Sequence, residues 1–212
     1  MRRRRRRAGL ALAAAMAGAL LAPAGLRASE GLPSAWTAPV MAGTPDPWLF
    51  AEAVRFFSNA ARRAQGLAPL AEDPALTGAA IQHARNMARL RTHSHVLPVP
   101  GQRTLRERLH REGVAYRQAG ENIARDKIFQ LLGRPIATSG QGCAFRYGDT
   151  REPVPMHTYG SLAQQTVARW LASPKHRAAL LSPRFQRIGS GLGVDPGGPA
   201  CGDVYLVQTF AD

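Results

Sequence analysis

Lysine is nearly missing from this chain. Of 28 basic residues all but two are arginine, against 14 acids. Cysteine is as scarce: Cys143 and Cys201 stand alone, with no Cys-x-x-Cys pair. That excludes a disulfide-dense scaffold, a four-cysteine zinc module and a thioredoxin-type redox motif. Beyond the first thirty residues no apolar run reaches the roughly 18 residues a spanning helix needs, so a multi-pass membrane protein is excluded as well. Neither a Gly-x-Ser-x-Gly elbow nor a His-Glu-x-x-His helix is present. The arginines come without a nucleic-acid-binding motif, dispersed among alanines and acids, and with an excess of Ala, Gly and Pro that GC-rich codons alone would produce. What is there is 212 residues, 45% apolar and 20% charged, ordinary values for one globular domain.

Arg2 to Arg7 precede a fifteen-residue apolar run, Ala8 to Ala22, which is the layout of a secretory signal. Residues 1–24 are read as the signal peptide, cut after Ala24, with Ala28 as the competing site. The alternative is an uncleaved anchor through Leu26, weakened by Pro23, Gly25 and many alanines. Cleavage lowers the formal charge from +14 to +8, enough for a mild attraction to anionic envelope polymers. The expected location is secreted or periplasmic, where two cysteines read as one disulfide, Cys143 with Cys201. Closing a loop of about 59 residues contributes about 4 kcal/mol on the chain-entropy account.

Residues 25–45 are rich in Pro, Ala and Gly without apolar period and read as a linker to a domain spanning 46–212. Asp46-Pro47 and Asp73-Pro74 are helix starts, a capping carboxylate before a proline, and predict helices over 47–65 and 74–91. Thr104 with Glu107 and Ser161 with Gln164 read as capping boxes opening two more helices. A short helix follows Ser173-Pro174. The period then changes: a segment from Ile188 to Val194 and another from Val204 to Phe210 are strand-like, joined by a turn, and Asn122 to Ala124 adds a third. These predict an α+β domain, helices on a small antiparallel sheet. Residues 125–160 read as a long insertion.

Of six histidines, His110 and His157 read as surface or loop residues, and His83 as lying on the polar side of its helix. His93 and His95 flank one serine past a helix end, an alternation that can aim two rings at one region or, on an extended backbone, one ring only. Glu121 precedes an apolar strand, where a carboxylate is costly unless paired. His176 opens a helix, a position that favours the neutral ring a metal requires.

The order of these pieces resembles the CAP superfamily, or SCP domain, of cysteine-rich secretory and plant pathogenesis-related proteins, in its bacterial secreted branch. The resemblance covers about Trp48 to Ala211. It rests on Gly66-Leu67-Ala68-Pro69-Leu70, Ser94-His95, Gly120-Glu121-Asn122-Ile123-Ala124, Trp170 with Ser173-Pro174 and His176-Arg177, and Val207-Gln208 with Phe210. It implies an α-β-α sandwich whose cleft holds two histidines and two glutamates. His95, Glu121 and His176 match three of these, with Asn122, Ser173 and Gln208 as cleft support. Ser173 stands where the second glutamate is expected, so the implied site is a reduced one.

Two imidazoles and a carboxylate can hold Zn²⁺ or a similar divalent cation with an open position. The favoured expectation is a non-enzymatic, monomeric binding module whose cleft takes a metal and meets a small ligand, lipid or cell-envelope component, with no nucleic-acid partner. The alternatives are a metal-dependent hydrolase or peptidase with Glu121 as its catalytic base between His95 and His176, and a basic adhesive factor. Whether the protein is an enzyme is left open, because no oxyanion donor or substrate subsite can be named from sequence.

Overall fold

The computed structural model describes residues 31–138 and 142–212, so the signal-peptide expectation for residues 1–24 lies outside the described residues. The Asp-Pro starts form as predicted. Helix α1 (Pro47–Ala64) is capped by Asp46, whose carboxylate accepts from the backbone N–H of Trp48 and Leu49 at 3.0 Å each. Helix α2 (Pro74–Leu90) is capped likewise by Asp73 and ends where Arg91 turns left-handed at φ 52°. Helix α3 (Leu105–Arg111) follows Thr104, whose hydroxyl accepts from Glu107 N–H. Helix α5 (Pro174–Leu180) also starts at its proline.

The sheet is larger than the sequence pattern suggested. Strand β1 (Ala71–Glu72) is followed by β2 (Ala119–Lys127), β5 (Arg187–Asp195) and β6 (Asp203–Ala211), in the order β1-β5-β6-β2. All pairs are antiparallel except the two-residue β1, which runs parallel to β5. Strand β2 has nine residues rather than three, and it forms one edge.

Side-chain alternation splits the molecule into layers. Ile123, Tyr205 and Val207 pack with Ala80, Ala84 and Met87 of α2 and with Leu97. Ala124, Ile188, Leu192, Leu206 and Phe210 face the other way, into a core with Phe50, Val54 and Phe57 of α1 and Leu162, Val167 and Trp170 of α4 (Tyr159–Ala172). Burying each large apolar side chain fully contributes roughly 1.5–3 kcal/mol. The result is the α-β-α sandwich expected for an α+β chain.

Three details differ from the sequence expectation. From Gly31 on, the stretch read as linker packs on the domain: Ser34–Thr37 form a 3₁₀ turn, and Trp36 and Val40 are buried, because two isolated apolar residues suffice to dock a segment without periodicity. Helix α4 begins three residues early. Thr158 is its cap, in a reciprocal box in which the Thr158 hydroxyl accepts from Ser161 N–H and the Ser161 hydroxyl accepts from Thr158 N–H. Within 125–160, strands β3 (Ile136–Thr138) and β4 (Phe145–Tyr147) form a hairpin that sends Phe145 and Tyr147 into the core. The disulfide Cys143–Cys201 ties this hairpin to the turn between β5 and β6, with its Cα atoms 5.7 Å apart.

Candidate functional site

The left-handed turn at Arg91 reverses the chain after α2 and sends it into a loop that Leu97, 1% exposed, plugs into the core. This loop carries His95 over β2. Glu121 shares a strand face with Ile123, on the α2 side, while Asn122 points the opposite way. Asn122 Nδ2 donates to the His176 carbonyl at 3.1 Å and to Gln208 Oε1 at 3.2 Å, and Gln208 Nε2 donates to Ser58 Oγ at 2.8 Å. Asn122 and Gln208 thus fix α5, and with it His176, against the sheet edge. Trp170 Nε1 adds a buried bond to the Ile123 carbonyl. Ser173 is the cap residue of α5, but its hydroxyl caps nothing.

His95 and Glu121 meet directly. His95 Nδ1 lies 2.8 Å from Glu121 Oε1, with the His95 side chain 54% exposed and that of Glu121 3% exposed. The other carboxylate oxygen, Oε2, accepts from Arg108 Nη2 at 2.7 Å, and the Arg108 side chain is 1% exposed. Arg108 Nη1 donates to the carbonyls of His95, Gln102 and Arg103 at 3.3–3.4 Å. Beneath them His83 is fully buried, its Nε2 3.8 Å from Glu121 Oε1, and among the described residues neither of its ring nitrogens has a hydrogen-bond partner.

Burial would push the Glu121 carboxyl up, but the hydrogen bond from His95 and the charge of Arg108 outweigh it and hold it below the usual carboxylate range. A carboxylate only accepts, so His95 Nδ1 carries a proton, and in the neutral ring Nε2 keeps its lone pair. Burial, then the charges of His95 and Arg169, lower the pKa of His176. The neutral ring expected from the helix start therefore has another main cause. His93 is depressed too, first by burial and then by His95, Arg125, Arg169 and His176.

Arg108 and His83 are the site residues that sequence reasoning missed. Both sit on apolar stripes: Arg108 beside Leu109 with Leu105 a turn before, and His83 in step with Ala80, Ala84 and Met87. A charged or polar residue on a buried stripe is the signal that finds them. The placement of His83 on a polar helix side is therefore corrected: the sheet covers it. The surface reading of His157 is corrected as well. It is 1% exposed, and its Nδ1 lies 3.0 Å from Ser161 Oγ at the start of α4.

The donor set fits a divalent cation in part. Two imidazoles are suited to one, and Glu121 behind His95 is the carboxylate–histidine arrangement that orients a ligand. Among the described residues no group of three His, Cys, Asp or Glu side chains is arranged to hold a metal ion. With both oxygens engaged, Glu121 supports His95. A groove of about 690 Å³ lined by Tyr116, Arg117, Arg184 and Asp212 includes none of these residues.

A comparison with curated proteins returns no match. Among solved structures, an extracellular protein containing an SCP domain from Bacillus anthracis is 24% identical with a TM-score of 0.53; the match covers 78% of this chain and 41% of that one. An outer surface protein of Borrelia burgdorferi is 18% identical with a TM-score of 0.50, over 76% of this chain and 90% of that one. The chain thus spans well under half of the Bacillus protein. The family model described as the cysteine-rich secretory protein family, CAP, matches residues 57–210, and the chain belongs to that family.

Proposed function

We propose that the protein is an exported CAP-domain binding module, not a hydrolase, whose cleft takes a divalent cation such as Zn²⁺ on His95 Nε2 and His176, in a site that water or a ligand atom completes. The observation that carries this reading is the double engagement of Glu121: Oε1 is held by His95 and Oε2 by buried Arg108. A general base works best with a pKa near the working pH, and this buried carboxylate, with each oxygen already accepting a hydrogen bond, is held below even the usual carboxylate range. Ser173, where a second carboxylate would stand, supplies no base. A bound cation would act as a Lewis acid, offering its open position to a polar group of a small envelope or lipid ligand. Export is supported by the Arg2–Arg7 run with its apolar core, and by the disulfide, which suits a secreted or periplasmic location.

Calorimetric titration with Zn²⁺ tests the cation site. At pH 7.5 the wild type binds, and His95→Ala and His176→Ala each lose at least the ~10 to 100-fold that even an outer-shell change costs. At pH 5.5 binding weakens in the wild type, because protons compete with the cation for the imidazole nitrogens. Equal affinity in all three proteins removes the cation site. Chelator-sensitive turnover of a peptide or ester panel, lost in Glu121→Gln, would instead establish the hydrolase.

A further inference from the structure

Three arginines converge on a groove at the C-terminal end of α2 that shares no lining residue with the proposed cation site. The groove, about 530 Å³, lies between α2 and the turn that follows β5; Arg85, Arg89 and Arg91 supply its charge, and Ala88, Val194 and Pro196 its apolar floor. One acid lines it, Asp195, which is 8% exposed and already engaged. Its carboxylate accepts from Arg91 Nε at 2.8 Å, from Arg91 Nη2 at 3.3 Å and from the Gly197 N–H at 3.0 Å. The acid therefore fixes one guanidinium in place, and among the described residues Arg91 Nη1 has no partner and can donate outward. Gly197 allows this fit, since a Cβ there would stand 2.6 Å from Arg91 Nη2. Among the described residues Arg85 and Arg89 meet no carboxylate, and Arg89 Nη2 reaches only the neutral Asn86 Oδ1, at 3.4 Å.

Helix stability does not account for this set. A helix C-terminus favours cations in its last turn, which covers Arg89, but that influence fades within a turn and does not reach Arg85. Arg85 and Arg89 stand four residues apart on an exposed face, where like charges repel. Arg91 takes a left-handed position, at φ 52°, that glycine or asparagine ordinarily fills. We propose that the groove is a binding site for a phosphate monoester: Arg85 and Arg89 close on its oxygens from the helix, and Arg91, set by Asp195, supplies the fixed third side. Three cations against one anion leave two positive charges. A carboxylate or a phosphodiester brings one negative charge, whereas a monoester brings nearly two at neutral pH, with three terminal oxygens for three guanidiniums. The apolar floor keeps water from one side of the bound group and strengthens those bonds. The monoester can belong to a lipid headgroup or to a soluble or polymer-borne ester, since the chemistry recognised is the same.

Calorimetric titration at low salt and neutral pH tests this with methyl phosphate and dimethyl phosphate, a chelator being present so that no cation bridges the anion. Three proteins are compared: wild type, Arg85→Gln/Arg89→Gln, and Arg117→Gln/Arg184→Gln, which removes the same two charges from the groove beside Asp212. All four arginines are exposed, so both variants should fold, and equal urea midpoints check it. The expected result is a wild type that binds the monoester more tightly than the diester, a loss of ~10-fold or more in Arg85→Gln/Arg89→Gln, as for charge-assisted bonds removed, and a change under ~2-fold in the other variant. No binding of methyl phosphate by the wild type overturns the proposal. So does an equal loss in both variants, which would mean a general attraction of the basic surface, or equal affinity for the diester. Sedimentation with vesicles of phosphatidic acid or phosphatidylglycerol separates the sources. Preference for phosphatidic acid, lost in Arg85→Gln/Arg89→Gln, assigns the site to a lipid headgroup; binding of methyl phosphate without that preference assigns it to a soluble or polymer-borne ester.

Discussion

His83 carries a cost that acid reveals. Burial lowers its pKa from 6.5 to about 4, with the charge of Glu121 opposing that shift only in part. In the unfolded chain the ring takes a proton below about 6.5; in the folded chain it does not until about 4. A depressed pKa means stability that is whole above 6.5 and is lost as pH falls toward 4, on the order of 3 kcal/mol in total. Urea unfolding at pH 7.0, 5.5 and 4.5 should show a shallower loss in His83→Leu than in wild type over this window; parallel curves would show that His83 takes no part. At this scale the family resemblance put His95, Glu121 and His176 forward as candidates, and the structure joins the first two. His83 and Arg108 stayed hidden because burial of a polar group depends on what the opposite layer brings, and that is not written in the local pattern.

Helix α2 lies unusually close to β5, and three alternate glycines, Gly189, Gly191 and Gly193, make the approach possible. A Cβ at Gly191 would stand 2.3 Å from the carbonyl carbon of Ala80, so the helix itself would have to move. Gly191→Ala should destabilise the domain by at least the ~3 kcal/mol at the upper end for overpacking, read as a lower urea midpoint at unchanged slope. An effect under ~0.5 kcal/mol would contradict this layer contact. The starts of α1 and α2 were legible because an Asp-Pro cap is a local device, complete within four residues. The length of β2 was not, since six of its nine residues read as strand only when paired with β6. The start of α4 was misplaced because Thr158 and Ser161 cap each other with the short side chains that also mark turns.

For the whole molecule, the sandwich was legible from resemblance and periodicity together, and the docking of residues 31–45 was not, because Trp36 and Val40 lack neighbours that share their period. The disulfide closes the β3–β4 hairpin onto the sheet and, at about 4 kcal/mol by loop entropy, is worth as much as two large buried side chains. Arginine excess sets no partner by itself: Arg91, Arg125, Arg169 and Arg187 are each paired to an aspartate. The proposed cation site rests instead on Glu121, held between His95 and Arg108, and on the imidazoles of His95 and His176. Anomalous diffraction at the zinc edge, on crystals grown with Zn²⁺ at neutral pH, measures that directly. The account predicts a peak about 2.0–2.1 Å from His95 Nε2 and from a ring nitrogen of His176, with Glu121 still joined to Arg108. A peak ligated by Glu121, or one at neither histidine, would contradict it.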